Sequence, residues 1–509
     1  MTDDNGNGDI DALRDSYDEL PYVGTSHRQS HPDHLAVLAR LFGMAPADVR
    51  GCRVLELGCA TGRNLLPMAQ ELPGTEFVGI DFSLVQVEQG RALQRELGLT
   101  NIELRHGRIE EMTEADGQFD YVIAHGVYSW VPLPVRLRLF EVCQRHLAPQ
   151  GVAYVDFNTY PGWHVRGLIR DMMLFHTARF KTAREKVHHA RGVLNFVAAS
   201  TPASRSAYQS LLMDELKVIQ DRPDWYIYHD HLEGVNDPVY FHEFMAQAGA
   251  RGLQYLADAF LAVMSAGTLG AEVERQVHAM ARDLVELEQY LDFLRNRMFR
   301  QTLLARADVA LDRHITTDRL AGMYVAADVR TDKPDMDVRV KGQEVFHFPD
   351  GLSLGIPDPV AKATLVFLSR AWPAAVPYEA LRDGVVEMLG ATGGAAADEL
   401  SRAIGTGVLH LFSRDMMRVY PRPLRCVGAV SDRPVGSPFA RSESRESEEV
   451  TNAAHERALL EPAAQQVLRL LDGTRGRAEL AAALGGGLDA AAKVEAALDA
   501  LRLRRLLVG

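Results

Sequence analysis

From residue 53 onward, short β-branched or apolar runs alternate with longer stretches whose apolar residues recur at helical spacing. The runs at 53–57, 76–80, 102–106, 121–125 and 152–158 predict strands, and helices are expected to begin near Gly62, Ser83, Leu133 and Val165. Strand and helix in strict alternation predict βαβ units on a parallel sheet. Residues 165–221 keep helical periodicity throughout and predict a helical insertion, ending at Arg222-Pro-Asp224. The runs at 225–231 and 252–256 predict two further strands around a helix at 238–249, and 272–307 reads as amphipathic helix.

The N-terminal pattern differs. Residues 1–15 are rich in Asp, Asn and Gly, with neither a basic segment nor an apolar run, so no signal peptide is expected. An extended arm follows, leading into a helix at about 34–43 for which Asp33 is the expected cap. Toward the C-terminus, 320–423 predicts a mixed unit with strands near 323–330 and 344–349. Residues 428–451 have linker composition, and three helices followed by Leu506-Leu-Val508 predict a winged-helix-like module. The expected organisation is an arm at 1–30, a Rossmann-like core at 31–165, a helical insertion at 166–222, the end of that fold with a helical region at 223–318, a mixed domain at 319–427, a linker at 428–452 and a winged-helix-like domain at 453–509.

Composition narrows the class. The 509-residue chain is 47% hydrophobic and carries a formal charge of −13, with no stretch long and apolar enough to span a bilayer. Such an acidic balance disfavours a stable nucleic-acid partner. Cys52, Cys59, Cys143 and Cys426 form no CxxC pair. A cytoplasmic protein without membrane insertion is expected.

The strongest chemical signal is Val54-Leu-Glu-Leu-Gly-Cys-Ala-Thr-Gly-Arg-Asn64. A buried strand ends in an acid, and glycines then turn the chain into a helix whose free N–H groups suit an anionic group. Phe77-Val-Gly-Ile-Asp-Phe-Ser83 places Asp81 at a second strand tip, about 20 residues beyond the glycines, at the spacing for an acid that grips ribose hydroxyls. A nicotinamide site would show GxGxxG. Here Glu56 precedes Gly58 and Gly62, a pattern that points to S-adenosyl-L-methionine, with Glu56 facing its ammonium or the loop N–H groups. Cys59, Ala60, Asn64 and Phe82 flank the same turns, while Gly107, Arg108 and Ile109 at the third strand end are expected near the adenine. Strand four ends at His125, Gly126, Tyr128 and Trp130, and strand five at Asn158 and Tyr160. Ligands bind at the carboxyl ends of such strands, so His125, Tyr128, Trp130, Asn158 and Tyr160 are the candidates to surround the reacting groups. His229 and His231 lack a third ligand, and no metal is expected.

At this point the chain resembles bacterial class I methyltransferases that carry the methyltransferase regulatory domain, among them outer-membrane-protein lysine methyltransferases. The resemblance rests on Tyr17-Asp-Glu-Leu-Pro-Tyr22, His31-Pro32, Leu55-Glu-Leu-Gly-Cys59, Gly79-Ile-Asp81, His125-Gly-Val-Tyr-Ser-Trp-Val-Pro132, Asn158-Thr-Tyr-Pro-Gly-Trp-His164 and Arg170-Asp-Met-Met173. It implies an α/β Rossmann-like domain interrupted by helices that serve homodimerisation, a mixed middle domain and a C-terminal winged-helix domain. It also implies protein lysine N-methylation. Departures fall at Val23-Gly-Thr-Ser-His27, where family members often have a Pro and an aromatic residue, and at Arg108, where an acid is usual. Two alternatives stay open: a methyltransferase for a small molecule or modified peptide, and a cofactor-sensing DNA-binding regulator using the basic cluster Arg502, Arg504 and Arg505.

Overall fold

The computed structural model describes residues 13–201, 207–390, 394–487 and 489–509. Its centre is a seven-stranded sheet of β1 (Arg53–Leu57), β2 (Glu76–Asp81), β3 (Ile102–His106), β4 (Phe119–Ala124), β5 (Leu147–Asn158), β6 (Leu253–Asp258) and β7 (Phe299–Arg306), in the order β3-β2-β1-β4-β5-β7-β6. The first five strands are parallel, and β7 is inserted antiparallel between β5 and β6. Their inward runs are apolar because both faces are covered. Val54, Leu55 and Leu57 are fully buried, with α1 (Pro32–Leu41), α2 (Leu65–Glu71), α3 (Leu84–Leu97) and α4 (Leu133–His146) over the faces.

Four expectations change. Helix α1 is capped by His31, whose Nδ1 accepts the Asp33 N–H at 3.0 Å. Asp33 is instead buried in an ion pair with Arg422 at 2.9 Å. Residues 225–231 are helical, Asp224–Ile227 running into a π-helical turn at Tyr228–Leu232. The aromatic residues there serve packing, Trp225 and His229 meeting Tyr22 and Tyr17 of the N-terminal arm, not a pleated strand. The stretch at 272–307 does begin with helices, Ala271–Met280 and Leu284–Arg295, but ends in β7. The pattern concealed that strand because it buries charge. Arg300 is fully buried, held by Glu288 at 2.9 Å and Asp292 at 2.8 Å, and its guanidinium lies 3.7 Å from the centroid of Phe241. A buried, ion-paired charge looks polar in sequence and behaves as core.

The fourth change concerns 428–452. It is not a free linker. Helix Pro438–Glu443 buries Phe439 and Ala440, and Gln70 of α2 reaches Ser437 Oγ at 3.0 Å and accepts the Phe439 N–H at 2.8 Å. Strand Glu449–Thr451 pairs with Arg457–Leu459 as a hairpin. Helices Pro462–Leu470, Arg477–Ala483 and Ala490–Leu503 complete a separate core around Val467, Leu468, Leu498 and Leu501. Helices α5 (Trp163–Thr177), α6 (Ala183–Ser200) and α7 (Ala207–Gln220) form the insertion, with their own core of Ile169, Met173, Val187, Leu194, Leu212 and Ile219.

Candidate active site

At the β1 tip the chain must turn under β2. Gly58 N–H and Cys59 N–H both donate to the Ile80 carbonyl, at 2.8 and 3.1 Å. Gly58 has φ +73°, and a Cβ there would sit 2.5 Å from Val127 Cγ2. Only glycine satisfies both constraints. Ala60 also adopts a positive φ, +49°, and its N–H donates to Asp81 Oδ2 at 2.8 Å. The other Asp81 oxygen accepts the Ser83 N–H at 2.9 Å. Asp81 thus organises the turn while its carboxylate lines the cavity. Burial raises it to about 6, with those two N–H donors opposing.

Glu56 is the penultimate residue of β1 and is 3% exposed. Its Oε1 accepts from Asn64 Nδ2 at 2.7 Å, whereas Oε2 is buried with no hydrogen-bond partner. Burial pushes this carboxyl to about 7, against the pull of Asn64 and His125. An orphaned carboxylate oxygen at a cavity wall is costly, and a cationic ligand relieves it.

On the opposite wall, Asp156 of β5 accepts the Gly126 N–H at 2.7 Å through Oδ1. Its Oδ2 contacts His125 Nδ1 and receives the Tyr154 hydroxyl at 3.0 Å. Burial lowers the basicity of His125, but Asp156 and then Glu56 outweigh it and hold the imidazole above the ordinary histidine value. The His27 ring lies 3.6 Å from that of His125, and burial together with this neighbour keeps His27 well below the ordinary value. One protonated ring is accommodated, not two.

One cavity of about 420 Å³ gathers Glu56, Gly58, Cys59, Ala60, Asn64, Asp81, Phe82, Gly107, Arg108, Ile109, His125, Gly126, Trp130 and Asn158. Three candidates fall elsewhere. Gly62 lies behind the loop, its φ +70° and the methyls of Leu104 at 3.1 Å from a would-be Cβ giving it a turn role. Tyr128 is fully buried among Phe140, Phe157 and Phe244 and donates to Gln247 Oε1 at 2.8 Å, so it belongs to the core. Tyr160 faces a neighbouring cavity of about 430 Å³ lined also by His164, Asp171 and Asn236, which shares Trp163 with the first.

The arm supplies walls that the spacing of strands and helices does not reveal. Tyr17 stacks on His229 at 4.2 Å and meets Phe82 edge-on, and Tyr22 packs edge-on against Trp225 at 4.8 Å. His229 is fixed between the Leu20 carbonyl and Glu233 and lines the cavity, whereas His231 does not. The signal for Tyr17 and Tyr22 was the Tyr17-Asp-Glu-Leu-Pro-Tyr22 string itself.

Known proteins are similar to this chain. Residues 54–151 match the methyltransferase domain model, 223–306 the methyltransferase regulatory domain, and 432–494 the PKMT C-terminal winged helix domain. Protein RP789 of Rickettsia prowazekii, itself uncharacterised, is 40% identical over 371 residues, covering 72% of this chain and 67% of that protein. RP028 from the same organism is 34% identical over 241 residues, covering 47% of this chain and 96% of its own length. Solved structures of PKMT2 from Rickettsia typhi, one in complex with AdoHcy, superpose with TM-scores of 0.87 and 0.86 at 27% identity, covering 96% of this chain and 100% of theirs. Fold, glycine turn and paired acids define a class I S-adenosyl-L-methionine-dependent methyltransferase. More narrowly, the chain belongs to the methyltransferases that join this domain to the methyltransferase regulatory domain and a PKMT-type winged helix.

Proposed function

We propose that this enzyme is a protein lysine N-methyltransferase. The likeness to PKMT2 along nearly the whole of both chains carries the reading, because it includes the accessory half that a small-molecule enzyme does without. S-adenosyl-L-methionine supplies, when bound, a methyl group made electrophilic by its sulfonium. The residues present fit it. Glu56 Oε2 takes the ammonium, the Gly58 turn accepts the amino-acid tail, Asp81 holds the ribose, and Gly107 to Ile109 border the base. Arg108 stands where an acid is usual, and because the N–H groups of Gly107 and Arg108 donate to the Asp81 carbonyl and Glu111, the contact there falls to the Ile109 N–H.

An amine acceptor arrives as an ammonium and needs a free lone pair before it attacks. His125 lines the cavity with one ring nitrogen on Asp156, and that pairing raises its affinity for the proton the acceptor must lose. Trp130, Trp163 and Tyr22 exclude water, and Asn158 is held by the hydrogen bond its Nδ2 donates to Asn236 Oδ1 at 3.1 Å, on the side of the second cavity. That cavity, with Tyr160 and Asp171, is the route we assign to a lysine side chain, aromatic rings and a carboxylate being suited to a cation. Helices α5 to α7 expose Phe175 and Phe196, the surface we assign to homodimerisation. We assign no stable nucleic-acid partner and a cytoplasmic location. Among the described residues no helix is long and apolar enough to cross a membrane.

The test is methylation of cell extract with labelled S-adenosyl-L-methionine. Label that enters protein and is recovered as methyl-lysine on hydrolysis is expected. Label confined to low-mass material overturns the protein-substrate reading.

A further inference from the structure

A hairpin of the C-terminal domain reaches the cofactor turn, beside the ion pair of Arg63 with Glu446. Strands Glu449–Thr451 and Arg457–Leu459 are joined by a loop whose own bonds are complete: Asn452 Oδ1 accepts the N–H groups of Ala454 and Glu456, and Asn452 N–H donates to the Glu456 carbonyl. His455 is held there with φ +58°, in the left-handed region that a non-glycine residue enters at a cost. Its ring is 3% exposed, and Nε2 lies 2.9 Å from Asn64 Oδ1. The neighbouring Glu456 anchors the loop to Arg418 at 2.7 Å, and Thr451 Oγ1 donates to Ser26 Oγ at 3.0 Å, beside the cavity-lining Thr25 and His27.

The direction of these bonds follows from one atom. The backbone N–H of His27 donates to Asn64 Oδ1 at 3.0 Å, and a backbone N–H has no other role. That atom is therefore the oxygen, and the amide nitrogen is the one facing Glu56 Oε1 at 2.7 Å and Ser30 Oγ at 3.1 Å. His455 must then carry its proton on Nε2 and donate. Burial, with His31 and Arg457 near, keeps this imidazole well below the ordinary value, so it stays neutral and in one tautomer.

We propose that His455 is a positioning residue for the cofactor site: by donating to Asn64 it locks the amide that holds Glu56, leaving Glu56 Oε2 aimed at the cofactor's ammonium. The winged-helix domain thereby completes the methyltransferase site, which rests on the assignment of Glu56 made above. Loss of the donor leaves Asn64 Oδ1 held by the His27 N–H alone, loosens the amide behind Glu56 and weakens cofactor binding, while the chemical step, made by other groups, is untouched.

The experiment uses the full chain and calorimetric titration with S-adenosylhomocysteine. His455→Met and His455→Gln have similar bulk and the same backbone strain, but only the glutamine can donate from the Nε2 position. Binding about tenfold weaker in His455→Met, the worth of one lost net hydrogen bond, and within threefold of the unaltered chain in His455→Gln is expected. KM for the methyl donor should rise with kcat within twofold. In an Asn64→Ala background the Met substitution should have no further effect. Equal affinity in His455→Met and His455→Gln, or an undiminished effect in the Asn64→Ala background, overturns the inference alone. Failure of the unaltered chain to bind overturns the site assignment with it.

Discussion

Substituting Glu56→Gln separates what the buried acid costs the fold from what it contributes to binding. Burial moves this carboxyl from the ordinary 4.5 to about 7. The charged form is thereby disfavoured by roughly 3 kcal/mol, at about 1.4 kcal/mol for each pH unit. The folded-state value lies above the unfolded one, so the folded chain holds the proton more tightly and stability falls as pH rises from 4.5 through 7. At pH 8 the glutamine chain should be more stable than the parent by up to roughly 3 kcal/mol, and at pH 4.5 the difference should vanish. Binding moves the opposite way. Losing a charge-assisted hydrogen bond of about 1.5–3 kcal/mol weakens S-adenosylhomocysteine about 10- to 150-fold. In the parent, affinity should also fall as pH drops through about 7, a step absent from the variant, with Asp81 at about 6 adding a second one lower. Thermal unfolding of the ligand-free chains at the two pH values, with calorimetric titration alongside, checks both. An affinity within threefold of the parent, or a ligand-free variant less stable at pH 8, refutes the assignment of Glu56.

Gly58→Ala forces a Cβ to within 2.5 Å of Val127 Cγ2 at φ +73°, and should lower S-adenosylhomocysteine affinity at least tenfold by closing the turn, read by the same titration. Tyr128→Phe removes a buried hydroxyl from Gln247 and should cost about 1 kcal/mol of stability while changing kcat less than twofold. A tenfold loss of kcat would put Tyr128 back among the reacting groups.

Much of this architecture was legible because the first half of the sheet obeys simple rules. Strands β1 to β5 are apolar runs bounded by turns, and the Glu56, Gly58 and Asp81 positions follow from strand tips alone. The misreadings share one cause, that polarity in sequence does not distinguish solvated from satisfied. Arg300, Gln301 and Thr302 are polar and buried, so β7 passed for a helix face. Ser437, Glu443 and Ser444 are polar and buried, so a docked segment passed for a linker. Tyr128 was misplaced for the opposite reason: an aromatic at a strand end reads equally as ligand wall or core, and only the three phenylalanines around it decide. Nothing in spacing alone brings residue 455 to residue 64.

The ion cluster around Arg300 also bears on anyone who would engineer this scaffold. Truncating Arg300 strands Glu288 away from water, a penalty of about 3–5 kcal/mol, and truncating either acid leaves the guanidinium with half its pairing, whereas exchanging the set together for apolar groups of matched volume removes the desolvation burden of every member. Single-site scanning will therefore report these positions as intolerant, while a combinatorial library that varies them jointly should recover folded, thermally hardened variants from the same three codons.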